Sequence, residues 1–275
     1  MWFWRMNNMV FMDELTKKSL DFQYILNKIN IKTPYGKIYK DKIRPFTIGE
    51  EEKLIRELEK IEAYTVYAKD RHFIRRINNI FAHTKDLRSS VKRASNGGIL
   101  SEVELFEIKN FLFLIRDLDN ILKEYEVPLW EDMKISPMGK LEKLLDPEAT
   151  GISTFYIYDS YSEQLKGIRK DKREVERKIK REKKHLKKKI QDELNLKLRP
   201  DGTVTLLKGD KELIRKVEES STLIYTSETY MHIKYSLKPT DKITLLERRH
   251  LILKDQEEKE EGEIKLRLSK ELGKN

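Results

Sequence analysis

The stretch IRKDKREVERKIKREKKHLKKKIQDEL, residues 168–194, decides the fold that this sequence predicts. It contains no glycine and no proline, and its few apolar residues recur at steps close to three, four and seven. Such a thin stripe is typical of a long helix that touches one partner helix along a single line. A disordered basic tail would not keep this register, so we predict a helix over 161–194. Its stripe consists of Leu165, Ile168, Val175, Ile179, Leu186 and Ile190, with charged Lys172 and Glu182 at two of its positions.

The composition of the whole chain favours an elongated protein over a thick globular core. Of 275 residues, 38% are apolar and 38% are charged, which gives much surface per residue. The formal charge of +10 is a weak indication of a polyanionic partner. There is no cysteine, which excludes disulfides and thiolate metal sites.

The N-terminal sequence MWFWRMNNMVFM is apolar, but Arg5, Asn7 and Asn8 interrupt it, and no small-residue cleavage site follows. It therefore lacks the features of a signal peptide. No later stretch approaches the roughly 20 apolar residues that span a bilayer. We predict a cytoplasmic protein without membrane contact.

Helical periodicity dominates the first part of the chain. It predicts helices over 15–30, 50–70, 73–81, 87–94, 102–125 and 133–145. Ser101 and Glu104 form a capping box at the start of the strongest of these helices. The sequence TPYGK, at 33–37, predicts a turn, and STFYIYD, at 153–159, predicts a strand.

The character changes again after Leu194. A turn at 199–202, short β segments at 204–207, 223–226 and 231–237, and a helix at 211–219 form a small mixed unit. From Thr244 the chain is helical to its end. The apolar residues of this last helix are Leu245, Leu246, Leu251, Leu253, Ile264 and Leu268.

We therefore predict a mainly α fold, in which a helical core carries a long antiparallel two-helix lever and a small mixed α/β clamp-like tip. The predicted parts are an N-terminal extension at 1–19, the core at 20–160, the outgoing lever helix at 161–194, the tip at 195–243 and the returning lever helix at 244–275.

Several short sequence segments, taken in chain order, resemble the core, lever and clamp of the MutS family. They are closest to the branch of the family that lacks a mismatch-reading domain. LDFQYIL, TPYGK and IRPF look like the opening of the family's core. DLRSSVKRASNGGILSEVEL, at 86–105, resembles its helix, glycine pair and following helix. DSYSEQLKGIR, at 159–169, is similar to the entry into the lever, and LERRHLILKDQEEKEEGEIKLRLS resembles the returning helix.

The resemblance implies a DNA-associated scaffold in DNA repair or recombination. No GK pair in the chain is followed by Ser or Thr, so a phosphate-binding loop for ATP is absent. We do not extend ATP hydrolysis, mismatch reading or nuclease activity to this chain. Coupling would then need a homodimer or a separately encoded ATPase subunit, and an incomplete core should expose apolar surface.

The basic helix carries most of the net charge. Residues 163–193 contain fourteen Lys or Arg and seven Asp or Glu, so +7 of the chain's +10 lies here. Charge runs are usually solvated faces, but lysines can also follow a phosphate backbone without regard to base sequence. If the two long helices are antiparallel from about Leu194 and Leu245 onward, residue 193 − x lies near residue 245 + x. The acidic run at 255–263 then faces residues 175–183. Lys178, Lys180, Arg181 and Lys183 would then pair with carboxylates across the seam.

The same register places a lysine triplet beside two arginines close to the tip, where an anion would relieve their mutual repulsion. In the tip, four further cations could flank a phosphate backbone or be ordinary surface residues. Tyr225, Tyr230 and Tyr235 could stack on bases, but tyrosines in small β units more often complete a core. The predicted DNA-binding residues are Lys184, Lys187, Lys188, Lys189, Lys197, Arg199, Lys208, Lys211, Arg248 and Arg249.

Catalysis has little support in the sequence. The five histidines show no paired metal-ligand spacing, and no Gly-x-Ser-x-Gly nucleophile motif occurs. We predict a non-enzymatic protein without metal or cofactor that binds double-stranded DNA. The alternative is a helical spacer, or a ribosome-associated or other RNA-binding protein, whose lysines solubilise it or bind RNA.

Overall fold

The structure is a computed structural model, and it describes residues 14–136, 138–152 and 154–274. Most of the predicted N-terminal extension, residues 1–13, and the first residue of the predicted strand, Ser153, lie outside the described residues. The chain divides into two compact units. Unit 1 contains the described residues up to Tyr156 and those from Lys265 onward, and unit 2 is Ile157–Ile264.

The fold is mainly helical with one small antiparallel sheet, which confirms the predicted fold class. Two 3-10 turns, Glu131–Met133 and Asp159–Tyr161, interrupt the loops. The elements in chain order are α1 (Glu14–Ser19), α2 (Phe22–Lys28), α3 (Pro34–Asp41), α4 (Glu51–Ala68), α5 (Arg71–His83), α6 (Arg88–Ser95), α7 (Glu102–Glu124), α8 (Gly139–Leu145), α9 (Glu163–Leu194), β1 (Thr203–Leu207), α10 (Lys211–Glu219), β2 (Leu223–Glu228), β3 (His232–Leu237) and α11 (Asp241–Lys274).

Helix α7 is the central element of unit 1. It begins at the predicted capping box, where the Ser101 hydroxyl accepts from the Glu104 amide and the Glu104 carboxylate accepts from the Ser101 amide at 2.9 Å. It buries Leu105 and Leu112 almost completely. It also buries Lys109, whose ammonium donates to Asp146 at 3.1 Å and to the Thr154 carbonyl at 3.0 Å. A fully buried lysine is tolerated here because both partners satisfy it.

The last turns of α11 belong to unit 1 and pack against the loop that follows α6. The Ser269 hydroxyl accepts from the buried Leu100 amide at 2.8 Å. A Cβ on Gly273 would lie 2.4 Å from the Ala94 carbonyl oxygen, so only glycine permits this close approach. The glycine pair of the sequence thus sits in a loop that a distant part of the chain covers.

Four predictions for the residues before α9 were wrong. TPYGK begins helix α3, because the Thr33 hydroxyl caps the Gly36 amide and Pro34 occupies the first turn, where its missing N–H costs nothing. Residues 154–158 form no strand, and the apolarity of that segment reflects burial of Ile157 and Tyr158. The helix predicted over 133–145 begins only at Gly139. The helix predicted over 15–30 is broken near Asp21, which has a positive φ.

Large apolar side chains are exposed on α1 to α4. No residue of α4, all of which are described, is buried. Leu58 and Ile61, which carry its predicted helical stripe, are 55% and 63% exposed. Further exposed apolar residues on these helices are Leu15, Tyr24, Ile25, Tyr39, Leu54, Ile55 and Val66, and Leu20 is exposed between α1 and α2.

The tip in unit 2 is a three-stranded antiparallel sheet in the order β1-β3-β2, with α10 beside it. Its predicted strands and helix are confirmed. The end of α9 is part of its core, because Ile190 is fully buried among Leu198, Val204, Val217 and Tyr235. The last two turns of α9 therefore serve the tip.

Helices α9 and α11 run side by side in opposite directions within unit 2, as predicted. Glu176 contacts His250 and Lys183 contacts Glu247, so residue numbers increase along α9 in the direction in which they decrease along α11. The two charged residues of the predicted stripe both pair across the seam. Lys172 binds Glu257, and Glu182 accepts from Lys242 at 2.6 Å.

The predicted register was wrong by eight to twelve residues, which is roughly 12–18 Å along a helix. The prediction assumed that both helices end together at the tip. Instead, α9 extends past the start of α11, because its last turns fill the tip core. The predicted apolar face of α11 is also corrected: Leu253, Ile264 and Leu268 are buried, but Leu245 and Leu251 are 68% and 59% exposed.

Candidate nucleic-acid interface

The contact between Glu176 and His250 divides the helix pair into two halves of very different charge. The inner half, residues 163–176 and 250–264, contains seven Lys or Arg and ten Asp or Glu, a net −3. The outer half, residues 177–194 and 241–249, contains twelve Lys or Arg and five Asp or Glu, a net +7. The positive charge of the pair is therefore concentrated in the half that adjoins the tip.

In the inner half, a half-buried ionic cluster surrounds Arg169. Its guanidinium donates to Asp159 at 2.6 Å, to Glu257 at 2.9 Å and to Glu261 at 2.7 Å, and to the Ile157 carbonyl at 2.7 Å. Burial by itself would lower the pKa of Arg169, but the hydrogen bonds to Asp159, Glu257 and Glu261 outweigh it and raise the pKa. The cluster fixes the start of α9 to α11.

Other residues of the segment DSYSEQLKGIR, at 159–169, contribute to the same contact between α9 and α11. The Ser162 hydroxyl caps the Leu165 amide at the start of α9 and donates to Glu260 at 2.6 Å. Leu165 is fully buried. The residues of this segment therefore have structural roles: they cap the start of α9 and hold it against α11.

In the outer half, four lysines share one face of α9 and line an open groove of about 760 Å³. They are Lys180, Lys183, Lys184 and Lys187, at the i, i+3, i+4 and i+7 positions of a helix, and we call them the lysine row. The opposite wall contains the turn at 200–202 and part of α11.

Two members of the lysine row lack a partner. Lys183 pairs with Glu247 at 2.7 Å, and Lys187 donates to the neutral Arg199 carbonyl at 2.7 Å. Among the described residues, no ion pair or hydrogen bond satisfies the side chains of Lys180 and Lys184, both of which are exposed. These two cations are available to an anion.

The carboxylates that line the groove are already engaged. Glu176 contacts His250, Glu247 contacts Lys183, and Asp201 accepts from the Thr203 hydroxyl at 2.8 Å. Hydrogen bonds from the Thr203 side chain and backbone hold the pKa of Asp201 below its ordinary value. With four lysines and three carboxylates, the lining of the groove carries a net +1.

The turn on the opposite wall depends on Gly202. This residue has a φ of +80°, and a Cβ would lie 2.7 Å from the Leu237 side chain. A glycine is thus required where the turn passes close to β3. The same turn presents the Arg199 carbonyl to Lys187.

The structure places the predicted DNA-binding residues at several separate locations. Lys184 and Lys187 line the groove, and Arg199 begins the turn beside it. Lys188 is exposed but does not line the groove, and Lys189 pairs with Glu193 at 3.6 Å. The triplet 187–189 is therefore not a single cluster of free cations.

The two predicted arginines of α11 do not face the lysine triplet. Arg248 and Arg249 are exposed. On α11 they lie between Glu247, which contacts Lys183, and His250, which contacts Glu176, so they are level with about residues 177–182 of α9. This is roughly 10 Å from Lys187 along the helix. The predicted cluster of triplet and arginines was wrong because it depended on the wrong register.

The remaining tip cations are dispersed. Lys208 pairs with Glu228 at 3.4 Å. Lys211 is the first residue of α10, which follows β1, whereas Arg199 precedes β1. Lys197 is exposed in the loop before β1. The structure gives these residues no common site with the lysine row.

Sequence reasoning missed Lys180, which it assigned to pairing with the acidic run. Lys178 instead pairs with Glu174 on its own helix, and the acidic run faces the first turns of α9. The i, i+4, i+7 spacing of 180, 184 and 187 was the signal that could have identified the row.

The three tip tyrosines have different roles. Tyr235 completes the core as expected, since it is 2% exposed and its hydroxyl donates to Glu218 at 2.9 Å. Tyr225 and Tyr230 are 58% and 94% exposed, so the expectation that they are core residues was wrong.

Among the residues that the structure describes, no group of three His, Asp or Glu side chains could hold a metal ion. None of the described helices has the length and apolarity needed to cross a membrane. Comparison with known proteins gave no match, either to a protein-family model or to a curated protein sequence.

Proposed function

We propose that unit 2 binds double-stranded DNA without sequence specificity and without catalysis, through phosphate contacts of the lysine row. The observation that carries the proposal is the pair Lys180 and Lys184, which are exposed and unpaired beside two more lysines on one helix face. Mutual repulsion within such a row is relieved when a polyanion displaces small counterions.

The dimensions of the row suit a phosphate backbone. Seven residues separate Lys180 from Lys187, which is about 10 Å along an α-helix. One strand of a duplex presents a phosphate every 3.4 Å or so along the axis, so the row can reach about three phosphates. Lysine ammonium groups fix position on the backbone but carry no base-sequence information, which favours sequence-independent binding.

The resemblance of the sequence to the MutS family extends this proposal to a scaffold role in DNA repair or recombination. We propose that the scaffold acts as a homodimer or with a separate ATPase subunit, assembled on the exposed apolar surface of α1 to α4. Exposed Leu58 and Ile61 support this surface, because apolar patches of this kind mark interaction sites. Light scattering across a concentration series tests the dimer: the mass should double, and Leu58→Glu with Ile61→Glu should restore the monomer.

The central test is charge reversal of the row in the full chain. The variant K180E/K184E/K187E should weaken binding of a 24-base-pair duplex by at least tenfold at moderate salt. The slope of log affinity against log salt should fall by about 2.7, because each phosphate contact contributes about 0.9. The control is K166E/K170E/K259E, which changes net charge equally in the inner half, where the carboxylates predominate.

An equal loss in the two variants would show that only overall charge matters, and the site would then be wrong. Competition between the duplex and a structured RNA of equal length separates the proposed function from the RNA-binding alternative. Preference for the duplex supports DNA binding, whereas preference for the RNA overturns it. Circular dichroism of each variant verifies that helicity is unchanged.

A further inference from the structure

A second groove, on unit 1, is lined mainly by cations and amides, together with His72 and Ala82. It lies along the outer face of α5 and has a volume of about 670 Å³. Neither Asp nor Glu occurs among the described residues that line it. Its polar lining consists of Lys32, His72, Arg75, Arg76, Asn78 and Asn79.

The groove follows from the amphipathic character of α5. Phe73 and Ile80 on the inner face are buried in a cluster with Ile121 of α7. The spacing of 72, 75, 76 and 79 then places the polar side chains together on the outer face. Lys32, from the loop before α3, reaches the same groove from a different part of the chain.

Two of the lining residues are held in position by Tyr125. The His72 imidazole Nδ1 is 2.8 Å from the Tyr125 hydroxyl, and the Arg76 guanidinium lies 5.9 Å from the centre of the Tyr125 ring. The ring itself packs against Phe73 at 4.9 Å. This part of the wall is therefore organised before any ligand arrives, which lowers the entropic cost of binding.

Two other lining residues are free to bind. Lys32 and Arg75 are exposed, and no ion pair or hydrogen bond engages their side chains among the described residues. Glu124, which does not line the groove, pairs with Arg76 at 2.7 Å. Lys32, Arg75, Arg76 and Glu124 together leave a net +2 at the groove.

We propose that this groove is a phosphate-binding site. An arginine guanidinium matches the oxygens of a phosphate group with two parallel hydrogen bonds, and asparagine amides add neutral donors. The volume is in the range of sites for compact ligands. The phosphate belongs either to a free small molecule or to a nucleic-acid backbone. The inference does not rest on the lysine row, because the two sites share no residue.

The test uses the full chain and two probes, with K32E/R75E as the site variant. The first probe is inorganic pyrophosphate, followed by calorimetry and by the NMR signals of the arginine Nε–H groups. The second is the 24-base-pair duplex, measured in the K180E/K184E/K187E background. The control is K92E/K143E, which makes the same charge change at exposed residues of α6 and α8 that do not line the groove.

A loss of pyrophosphate affinity of tenfold or more in K32E/R75E, against less than twofold in the control, supports a site for a small phosphate compound. A further loss of duplex binding of fivefold or more, with pyrophosphate unaffected, assigns the site to nucleic acid. If neither probe distinguishes K32E/R75E from the control, the inference is overturned. The neutral variant K32Q/R75Q provides the same comparison should charge reversal disturb folding.

The two proposals fail independently. If K180E/K184E/K187E binds duplex like the unmodified chain, the function proposed for unit 2 is wrong. The pyrophosphate result still decides the groove on α5, because that probe needs no contact with the lysine row.

Discussion

The inner and outer halves of the helix pair are made from the same two helices and have similar densities of charged residues, yet they use those charges differently. In the inner half, Arg169 is surrounded by three carboxylates and a carbonyl, and the half as a whole carries a net −3. In the outer half, the side chains of Lys180 and Lys184 have no ion-pair or hydrogen-bond partner among the described residues. A high density of lysine and arginine therefore does not identify a binding surface, whereas cations without an ion-pair partner do.

The largest effect should come from removing the centre of the inner cluster. Arg169→Met would leave Glu257, which is 9% exposed, with Lys172 alone and Glu261 without its partner. Breaking a buried pair from one side costs about 3–5 kcal/mol. Urea unfolding followed by circular dichroism measures this loss.

The matched variant in the outer half is Arg177→Met, whose exposed side chain donates a long hydrogen bond, 3.3 Å, to the Arg173 carbonyl. Its effect on the free energy of unfolding should be within about 0.5 kcal/mol. Similar losses in the two variants would remove the distinction between a structural and a binding half.

Two glycines sharpen the comparison at the level of the backbone. Gly202→Ala, in the groove turn, should destabilise unit 2 by about 1–3 kcal/mol, because a Cβ meets Leu237 and φ is positive. Gly167→Ala, inside α9 in the inner half, meets nothing within 4 Å and should stabilise by about 0.5–1 kcal/mol. Thermal melting of both variants is the measurement, and the same sign for both would contradict this description.

The inner cluster should make the protein sensitive to acid. Burial would raise the pKa of Glu257, but hydrogen bonds from Lys172 and Arg169 outweigh it and lower the pKa. A lowered carboxyl pKa contributes stability above the pKa of the unfolded state, and that stability is lost as the pH falls through the folded value. Unfolding curves between pH 7 and pH 2 should show this loss, and Glu257→Gln should reduce its slope.

The tip should be sensitive to alkali. Burial, with the hydrogen bond to Glu218, raises the pKa of Tyr235 to about 12. The neutral phenol therefore stabilises the fold below about pH 10, the pKa of an unfolded tyrosine, and this contribution falls as the pH rises towards 12. The change should be on the order of 1 kcal/mol. Tyr235→Phe should abolish this dependence; an unchanged alkaline slope would place the titrating group elsewhere.

The smallest effect on stability is expected at the lysine row. The variant K180Q/K184Q should leave the free energy of unfolding unchanged or raise it by up to about 0.5 kcal/mol at low salt, because it removes repulsion between neighbours on one helix face. Any gain should disappear as salt screens the charges. A clear loss of stability in urea unfolding would mean that these lysines are structural, and the proposed interface would lose its central residues.

The local structure of this protein was largely predictable. The capping box at Ser101, the strands of the tip and helix α10 were correctly predicted, since each depends on residues close together in sequence. The start of α3 was missed although its signal is local, because a proline and a glycine mark helix starts as well as turns. The strand predicted at 153–159 failed because a strand needs a partner, and an apolar run does not specify one.

The candidate site was only half predictable. Lys184 and Lys187 were identified from charge density, but Lys180 was assigned to structure and Arg248 to the site. Both errors come from one misplaced register. An apolar stripe with a seven-residue period fits its partner nearly as well after a shift of one repeat, so periodicity cannot fix the alignment of two helices.

The sequence by itself determined that two long helices exist and that positive charge is concentrated on the first, because these properties follow from side-chain periodicity and composition. Only the tertiary structure decided which charges meet. Ile190 and its neighbours are used in the core of the tip, so α9 extends beyond the start of α11, and the glutamates of α11 face Arg169 and Lys172. Ionic contacts act over a few ångströms, and a displacement of two or three helical turns is enough to exchange every partner.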